Sequence, residues 1–247
     1  MPTAIELRLK ATWTIRPDTR QLHGLACAVF EGESASHLGQ DKPFAVRPLE
    51  PAPGGPAGEW IWRCAWLPDG PPPAGTLTAD LIRVGLVSCA VTESSHRRVT
   101  HAQLAAGPPL RAVAVTFASP AYFAQNGSDV VLPDPRLIVG SWRRRWNSSL
   151  PDADPLTVDD DSWRQALRLL RLADFDLHTQ SRDSGHGRDR LGFTGTATLR
   201  LDRSAPQPAA AVLGALARFA GYCGTGAQTT HGFGATTVTP EGARGSG

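Results

Sequence analysis

Residues 221–234 read Gly221-Tyr222-Cys223-Gly224-Thr225-Gly226-Ala227-Gln228-Thr229-Thr230-His231-Gly232-Phe233-Gly234. Five of these fourteen residues are glycine, and hydroxyl and amide side chains lie between them. Glycine permits a positive φ and a close approach to a ligand, and the exposed N–H groups of such a loop can bind an anion. The segment follows an apolar helical pattern over 208–220 and precedes a short strand pattern over 235–238. It therefore differs from phosphate-binding and dinucleotide-binding glycine motifs, which follow a strand and open a helix.

The bulk composition is that of a globular protein of one large or two ordinary domains. The chain has 247 residues, of which 41% are hydrophobic and 19% are charged. No apolar run is long enough to cross a membrane, and the N-terminus lacks the basic and apolar regions of a signal peptide. The four cysteines are far apart, which argues against a zinc site or a disulfide framework. We therefore expect reduced, mostly buried thiols and a cytoplasmic protein.

The charge pattern limits how the protein could bind nucleic acid. The formal net charge is only +2, so any nucleic-acid surface must be a local patch. Lys10 and Lys42 are the only lysines, and every other basic residue is arginine. Arginine suits bidentate phosphate contacts and stacking on bases, although a GC-rich genome would explain the same bias.

Strand and helix patterns alternate in both halves of the chain. In the first half, strands are predicted at 5–11, 43–47, 60–67 and 81–92, with a helix at 21–30. The pattern restarts after Gly107-Pro108-Pro109. The second half has predicted strands at 110–117, 175–180, 192–201 and 235–238, and helices at 134–146, 161–172 and 208–220. We expect Ser119-Pro120 to end the strand before it.

This interleaving predicts an α+β fold made of two antiparallel sheets, each covered by helices. Tandem ferredoxin-like (RRM-like) domains are the smallest known arrangement of this form. We predict an N-terminal ferredoxin-like domain at 1–108, a C-terminal one with the glycine-rich loop at 109–240, and a tail at 241–247.

Four motifs in the C-terminal half occur in the order of a known family. They are Phe117-Ala118-Ser119-Pro120-Ala121-Tyr122-Phe123 at the end of a strand, residues 132–138 at the start of a helix, the strand 192–199 with its Phe-x-Gly, and the loop that closes with Gly-Phe-Gly. This half resembles the pre-crRNA-processing endoribonucleases of CRISPR systems, within the RAMP superfamily. In the N-terminal half, residues 22–25 are similar to the opening of the family's first helix, and His37 upstream of Lys42-Pro43-Phe44 is similar to its catalytic histidine region.

The resemblance implies a fold, an activity and a partner. Members of this family fold as tandem ferredoxin-like domains, bind CRISPR repeat RNA and cut the precursor transcript once into crRNAs. They use no metal and no cofactor. The resemblance also allows other CRISPR effector subunits as partners.

Metal-free RNA cleavage uses the ribose 2′-hydroxyl as the nucleophile, and it leaves a 2′,3′-cyclic phosphate and a 5′-hydroxyl. The reaction needs a base for the 2′-hydroxyl, an acid for the leaving oxygen and a cation near the charged phosphorane. Histidine suits either proton role, and such help is typically worth about 10²–10⁴-fold. Lysine or arginine supplies the electrostatic stabilisation.

His37 is the first candidate for the catalytic histidine, with Lys42 five residues later. The competing interpretation is a surface histidine beside a strand-edge lysine. His23, on the predicted first helix, is the rival, although a histidine there is more often packed or capping. Some family members place a tyrosine on this helix, whereas this chain has Cys27, which questions a three-residue mechanism. The remaining histidines His96, His101, His178 and His186 are expected at the surface.

Candidate RNA contacts fall into three groups. Arg143, Arg144 and Arg145 end a predicted helix, although a solvated charge run is an equal alternative. Arg182, Arg188 and Arg190 flank the predicted hairpin tip 185–187, which would otherwise be a disordered turn. The third group, from the glycine-rich loop, comprises Gly224, Thr225, Gly226, Gln228, Thr229 and His231, of which His231 is as easily structural.

Two other functions compete with the endoribonuclease. One is a non-catalytic RNA-binding RAMP subunit of a CRISPR effector complex, which would share the fold and the loop. The other is a small-molecule enzyme on a ferredoxin-like fold, disfavoured because no cofactor motif or catalytic carboxylate pair occurs. No metal-binding spacing is present, and residues 159–161 are better explained as a solvated loop and helix cap.

Overall fold

The computed structural model describes residues 1–11, 13, 15–31, 42–73, 79–184 and 189–241. The candidate residues His37 and Arg188 lie outside these ranges, as do His186 and residues 242–247 of the predicted tail. No described helix is long and apolar enough to cross a membrane.

The first antiparallel sheet comes from the N-terminal part of the chain. Its strands are β1 (Thr3–Ala11), β2 (Phe44–Val46), β3 (Glu50–Pro51), β4 (Glu59–Trp66), β5 (Leu81–Val84) and β6 (Val87–Arg98). They lie in the order β2-β4-β1-β6-β5, and β3 pairs with β4. Helix α1 (Thr19–Phe30) connects β1 to β2, and the short helix α2 (His101–Ala105) follows β6.

Alternating side chains along β1 explain how helix α1 packs on this sheet. Ile5, Leu7 and Leu9 are buried in one cluster with Leu22 and Phe30 of α1. The helix begins after Asp18, whose carboxylate accepts a hydrogen bond from the third N–H of the helix in a capping box. The start of α1 and its buried face are therefore both encoded locally.

The second antiparallel sheet comes from the C-terminal part of the chain. Its strands are β7 (Ala112–Ala121), β10 (Leu170–Asp183), β11 (Asp189–Leu201) and β12 (Thr236–Pro240), in the order β10-β11-β7-β12. A separate hairpin consists of β8 (Phe123–Gln125) and β9 (Ser128–Val130). The helices are α3 (Pro135–Ser148), α4 (Asp160–Leu169) and α5 (Gln207–Cys223).

The two sheets share one topology. If the four main strands of each sheet are numbered 1 to 4 along the chain, both sheets have the spatial order 2-3-1-4. In the first sheet this order is β2-β4-β1-β6, and in the second it is β10-β11-β7-β12. This is the ferredoxin-like order, so the predicted tandem ferredoxin-like fold is confirmed. The first repeat adds β5 at its edge, and its described residues between β4 and β5 contain no helix.

The strand β7 does not end at Ser119-Pro120 as predicted but continues to Ala121. Its pairing with β11 shifts register in this region, because Phe193 lies opposite Ala121 whereas Gly195 lies opposite Phe117. This irregular pairing accommodates Pro120, which has no N–H to donate to a regular strand ladder. Likewise α4 ends at Leu169, earlier than predicted, because β10 begins at Leu170 opposite Leu201.

The expectation that His101 lies at the surface is wrong. Its side chain is fully buried, with Nδ1 2.9 Å from Asp69 Oδ1 and Nε2 2.8 Å from Ser149 Oγ. The ring also meets the Trp146 ring edge-on. Burial lowers the pKa of His101, against the opposing effect of Asp69. This histidine therefore ties α2 to the segment after β4 and to the end of α3.

The four cysteines are free thiols and buried, as the sequence predicts.

We predict that His101→Ala lowers the free energy of unfolding by about 2–4 kcal/mol, because it leaves a cavity and removes a partner of the buried Ser149 hydroxyl and of the half-buried Asp69 carboxylate. His96→Ala is the matched control, since His96 is exposed, and we expect a change within about 0.5 kcal/mol. Urea denaturation measures both.

The lowered pKa of His101 also sets the direction in which the free energy of unfolding changes with pH. A lowered pKa means that the unfolded chain binds a proton more readily than the folded one. Stability contributed by neutral His101 is therefore complete above its ordinary pKa of about 6.5 and declines as the pH falls below that value. His101→Ala should flatten this decline. Equal slopes in both proteins would contradict the buried network.

Candidate active site

We call residues 224–234 the glycine loop, and its glycines adopt positive φ to pack main chain against main chain. Gly224, Gly226, Gly232 and Gly234 all have φ between 60° and 85°. A Cβ atom at Gly234 would overlap the Thr225 carbonyl oxygen, and one at Gly226 would overlap the carbonyl oxygen of Tyr122. These two glycines therefore serve packing within the protein rather than the approach of a ligand.

The inner half of the glycine loop is a buried hydrogen-bond network. Thr225 is fully buried, and its hydroxyl accepts from Trp142 Nε1 at 2.8 Å and from Thr236 Oγ1 at 2.7 Å. The N–H of Gly226 donates to Ser141 Oγ at 3.0 Å. The expectation that Thr225 contacts RNA is thus corrected, because its hydroxyl is an internal anchor. The same network engages the N–H group of Gly226.

The outer half of the loop lies where the two sheets meet. The carbonyl oxygen of Gly232 accepts from Ser119 Oγ at 2.9 Å and from Arg182 Nη1 at 3.3 Å. A Cβ built on Gly232 would contact Leu22 of α1. Burial lowers the pKa of Arg182, which also lies over the Phe233 ring. The loop is thereby fixed against α1, β7 and β10 at once.

His23 on α1 contacts this loop directly. Its Nδ1 is 3.1 Å from the carbonyl oxygen of Thr230. A carbonyl only accepts, so Nδ1 carries the proton and, in the neutral ring, Nε2 carries the lone pair. The ring stacks on that of His231, with centroids 4.0 Å apart and planes within 5°. Two imidazoles from opposite ends of the chain therefore meet at the joint between the sheets.

A line of polar side chains continues from His23 along α1. His23, Cys27 and Glu31 are spaced four residues apart and so share one face of the helix. Cys27 Sγ is 3.5 Å from His23 Nε2. Burial, aided by Glu31, raises the pKa of Cys27 to about 11, so it remains a thiol at neutral pH. Glu31 Oε1 is 2.7 Å from Lys42 Nζ.

The ion pair between Glu31 and Lys42 joins the two residues that flank 32–41. Lys42 is only 8% exposed, and its ammonium is held against a carboxylate rather than directed to solvent. His37 belongs to the flanked segment and lies outside the described residues. The structure thus places Lys42 and His23 on the same polar line.

A cavity of about 790 Å³ borders the glycine loop. Helix α3 contributes Arg136 and Arg144, both exposed, and the loop contributes Gln228, Thr229 and Thr230. Thr229 is only 6% exposed. Gln228 has a left-handed backbone conformation, and its side-chain oxygen is buried without a hydrogen-bond partner. Positive charge and hydrogen-bonding groups line this cavity together, as an anionic polymer would require.

The three consecutive arginines of α3 do not act as one clamp. Arg143 bonds the Val158 carbonyl and Asp160. Arg145 donates to the carbonyls of Lys42 and Phe44, both at 2.8 Å, and so links α3 to the first sheet. All three line the cavity, but of the three only Arg144 is exposed.

Arg190 of β11 forms an ion pair with Asp129 of β9 and lies over the Tyr122 ring. Asp129 therefore neutralises one of the arginines that the sequence suggested as RNA contacts. Among the described residues, no group of three or more His, Cys, Asp or Glu side chains could hold a metal ion.

A second groove, of about 510 Å³, lies between the first sheet and helix α5. It is lined by Arg63, Arg97 and Tyr222, and it also borders the glycine loop at Gly224, Thr229 and Phe233. Neither His23 nor His231 lines either space, but Thr230, whose carbonyl contacts His23, lines only the 790 Å³ cavity. Arg47 at the margin of the second groove donates to the Thr236 carbonyl at 2.6 Å and so also joins the two sheets.

Comparison with known proteins shows which family the chain resembles. A family model described as CRISPR-associated endoribonuclease Cas6 matches residues 115–236. The CRISPR-associated endoribonuclease Cas6 of Mycobacterium tuberculosis is 30% identical over 135 residues, which cover 55% of this chain and 41% of that protein. A solved Cas6 product complex has a TM-score of 0.82 at 27% identity, over 97% of this chain and 100% of that chain. The chain thus matches Cas6 endoribonucleases in sequence over residues 115–236 and in fold over 97% of its length.

Other Cas6 structures agree over both sheets. A second Cas6 product complex has a TM-score of 0.78 at 25% identity, and it covers 97% of this chain and 100% of that chain. A Thermus thermophilus Cas6 has a TM-score of 0.73 at 25% identity, over 97% of this chain and 98% of that one. The segment matched in the curated Cas6 relatives spans 41% of their length. The structural matches cover 97% of this chain, so they extend beyond residues 115–236 to the N-terminal sheet and α1.

Two features of this site could not be predicted from the sequence. The stacking of His23 on His231 joins residues from opposite ends of the chain, and no local pattern indicates it. The role of Arg145 as a link between the sheets was equally hidden. The line of His23, Cys27 and Glu31 did have a signal, because the spacing of four residues is visible on the predicted helix.

We predict that Gly234→Ala destabilises the protein by several kcal/mol, on the order of 2–4, because a methyl group would overlap the Thr225 carbonyl at a positive φ. Gly221→Ala is the control, since nothing lies within 4 Å of a Cβ at this exposed helical position. It should be neutral or stabilise by up to about 1 kcal/mol. Thermal and urea unfolding compare the two, and equal stabilities would refute the packing described for the loop.

Proposed function

We propose that this protein is a metal-independent endoribonuclease that binds CRISPR repeat RNA and cuts the precursor transcript into crRNAs. The 2′-hydroxyl attacks the adjacent phosphorus, the 5′-oxygen leaves, and the products carry a 2′,3′-cyclic phosphate and a 5′-hydroxyl. The observation that carries this proposal is His23, held by the glycine loop beside an arginine-lined cavity. The match to Cas6 endoribonucleases supplies the substrate class.

The contacts of His23 suit a general base. Its Nδ1–H is donated to the Thr230 carbonyl, which leaves the lone pair on Nε2. Cys27 Sγ occupies that direction at 3.5 Å, but a thiol is a weak donor. A ribose hydroxyl that reaches Nε2 could transfer its proton to the ring.

His37 is proposed as the second proton-transfer group, acting as the acid for the leaving 5′-oxygen. The support is its place in the chain, five residues before Lys42 and inside the segment whose ends the Glu31–Lys42 ion pair joins. Lys42 is proposed to hold these ends together through its ion pair with Glu31, and to stabilise the phosphorane if an RNA phosphate takes the place of that carboxylate. Cys27 is a poor acid because its pKa is raised to about 11.

The RNA backbone is proposed to enter the cavity beside the glycine loop. Arg144 and Arg136 would contact phosphates there, while Gln228, Thr229 and Thr230 offer hydrogen bonds to the same strand. The N–H groups of Gly224, Gly226 and Ala227 donate within the protein, so side chains rather than a main-chain anion cradle would supply most of the contacts. Arg188, which flanks the hairpin tip 185–187 expected from the sequence, remains a proposed RNA contact.

Single-turnover cleavage tests the chemistry. The protein is incubated in excess EDTA with labelled repeat RNA, or with the same RNA carrying one 2′-deoxyribose at the cut site. We expect only the first RNA to be cut. His23→Ala and His37→Ala should each reduce the rate by about 10²–10⁴-fold, the usual contribution of general acid–base catalysis. Exposed His178→Ala is the control and should retain the wild-type rate.

Three outcomes would contradict parts of this proposal. Binding without cutting would indicate the non-catalytic RAMP subunit. Cleavage of the 2′-deoxy RNA would exclude attack by the 2′-hydroxyl. Full activity of His23→Ala would remove that residue from the chemistry and leave the likeness to Cas6 intact.

Arg144→Gln tests the RNA surface. We expect the dissociation constant for the 2′-deoxy repeat RNA to rise about 5–10-fold, and the slope of its logarithm against the logarithm of salt concentration to fall by about 0.7–0.9, as for one lost phosphate contact. Arg83→Gln is the matched control, because Arg83 is an exposed arginine on β5, away from the cavity. Equal affinities of the two variants would place the RNA elsewhere.

A further inference from the structure

We infer that His231 is a positioning residue for His23, whose ring it holds in the orientation in which Nε2 can accept the proton of the ribose hydroxyl. The inference rests on the proposed function, because it assigns His231 a role in the same reaction. It also changes the role suggested by the sequence, in which His231 contacts RNA.

Contacts at the edge of an imidazole ring do not by themselves fix its plane. His23 Nδ1 lies 3.1 Å from the Thr230 carbonyl and Nε2 lies 3.5 Å from Cys27 Sγ, but both contacts are made at the ring edge and allow the plane to tilt. The parallel ring of His231, 4.0 Å away, blocks this tilt on one face. The Phe44 ring is 6.1 Å away and tilted by 37°, so it offers no parallel surface. The plane of His23 therefore depends on His231.

The ring of His231 is itself well held. Residues Thr229–His231 form a single 3₁₀ turn between two residues with left-handed backbone, Gln228 and Gly232. The N–H of His231 donates to the Gln228 carbonyl at 2.9 Å, and its Nδ1 is 2.9 Å from Thr230 Oγ1. Backbone and side chain thus both fix the ring that supports His23.

Two neighbouring residues of this turn act on His23 in different ways. Thr230 supplies the carbonyl that selects the tautomer, and His231 supplies the surface that selects the plane. Orientation matters to the reaction because a misplacement of about 1 Å can cost about 10²-fold in rate. The 3₁₀ turn thereby couples the conformation of the glycine loop to the geometry of the base.

The test separates orientation from RNA binding. In His231→Ala we expect the single-turnover rate at saturating enzyme to fall about 10–100-fold. The dissociation constant for the 2′-deoxy repeat RNA should stay within about twofold of wild type. His231→Phe should recover most of the rate, because phenylalanine retains a flat ring. His178→Ala again serves as the control.

Several results would overturn the inference. An unchanged rate in His231→Ala would show that the stack is not needed. A weakened RNA affinity with an unchanged saturating rate would make His231 an RNA contact. A rate for His231→Phe as low as that of His231→Ala would show that the nitrogen atoms, not the flat ring, matter.

A second measurement does not depend on cleavage. Long-range ¹H–¹⁵N NMR spectra of the free protein report which nitrogen of His23 is protonated. We expect the Nδ1–H tautomer in wild type and in His231→Phe. In His231→Ala we expect a mixture of tautomers, because a ring that tilts loses its alignment with the Thr230 carbonyl that selects the tautomer. The Nε2–H tautomer in wild type, or an unchanged spectrum in His231→Ala, would refute the positioning role. If the wild-type protein cut no RNA while these spectra were as expected, the proposed function would fail and the positioning of His23 by His231 would stand.

Discussion

Main chain packs directly against main chain in the glycine loop, and this steric constraint sets the position of the candidate site. A Cβ atom at Gly226 or Gly234 would overlap a carbonyl oxygen, so the loop can close only with glycine at these positions. Once closed, it buries Thr225 against Trp142 and directs residues 228–231 outward. The carbonyl that orients His23 and the ring that stacks on it both belong to this outward turn.

Arginine and histidine side chains link the N-terminal and C-terminal parts of the fold. Arg145 reaches from α3 to two carbonyls at the start of β2, and Arg47, just after β2, reaches the Thr236 carbonyl at the start of β12. Hydrogen bonds from a charged donor are stronger than neutral ones. Buried His101 makes a further link between the halves through Asp69 and Ser149. Arg47 and Arg145 thus stabilise the contact between the sheets, while exposed Arg136 and Arg144 remain as a small basic surface beside the loop.

The fold was largely predictable because its patterns are local. Alternation along β1 and the capped apolar face of α1 require only neighbouring residues, and the same holds for α5 before the glycine loop. Errors arose where tertiary structure decided the outcome. His101 follows polar residues in the sequence but is buried by α3, and Thr225 looks like a loop hydroxyl but faces Trp142. The stack of His23 on His231 is equally invisible, since it exists only after both repeats have folded and met.

The central claim is that the chemistry takes place where α1 meets the glycine loop. A crystal structure of this protein with repeat RNA carrying a 2′-deoxyribose at the cut site tests it most directly. The account predicts that the 2′-carbon of that ribose lies within about 4 Å of His23 Nε2, which leaves a hydrogen-bond distance of about 3 Å for the missing hydroxyl. It also predicts that the adjacent strand lies in the cavity beside Arg144. A scissile phosphate in the groove lined by Arg63 and Arg97 would contradict it.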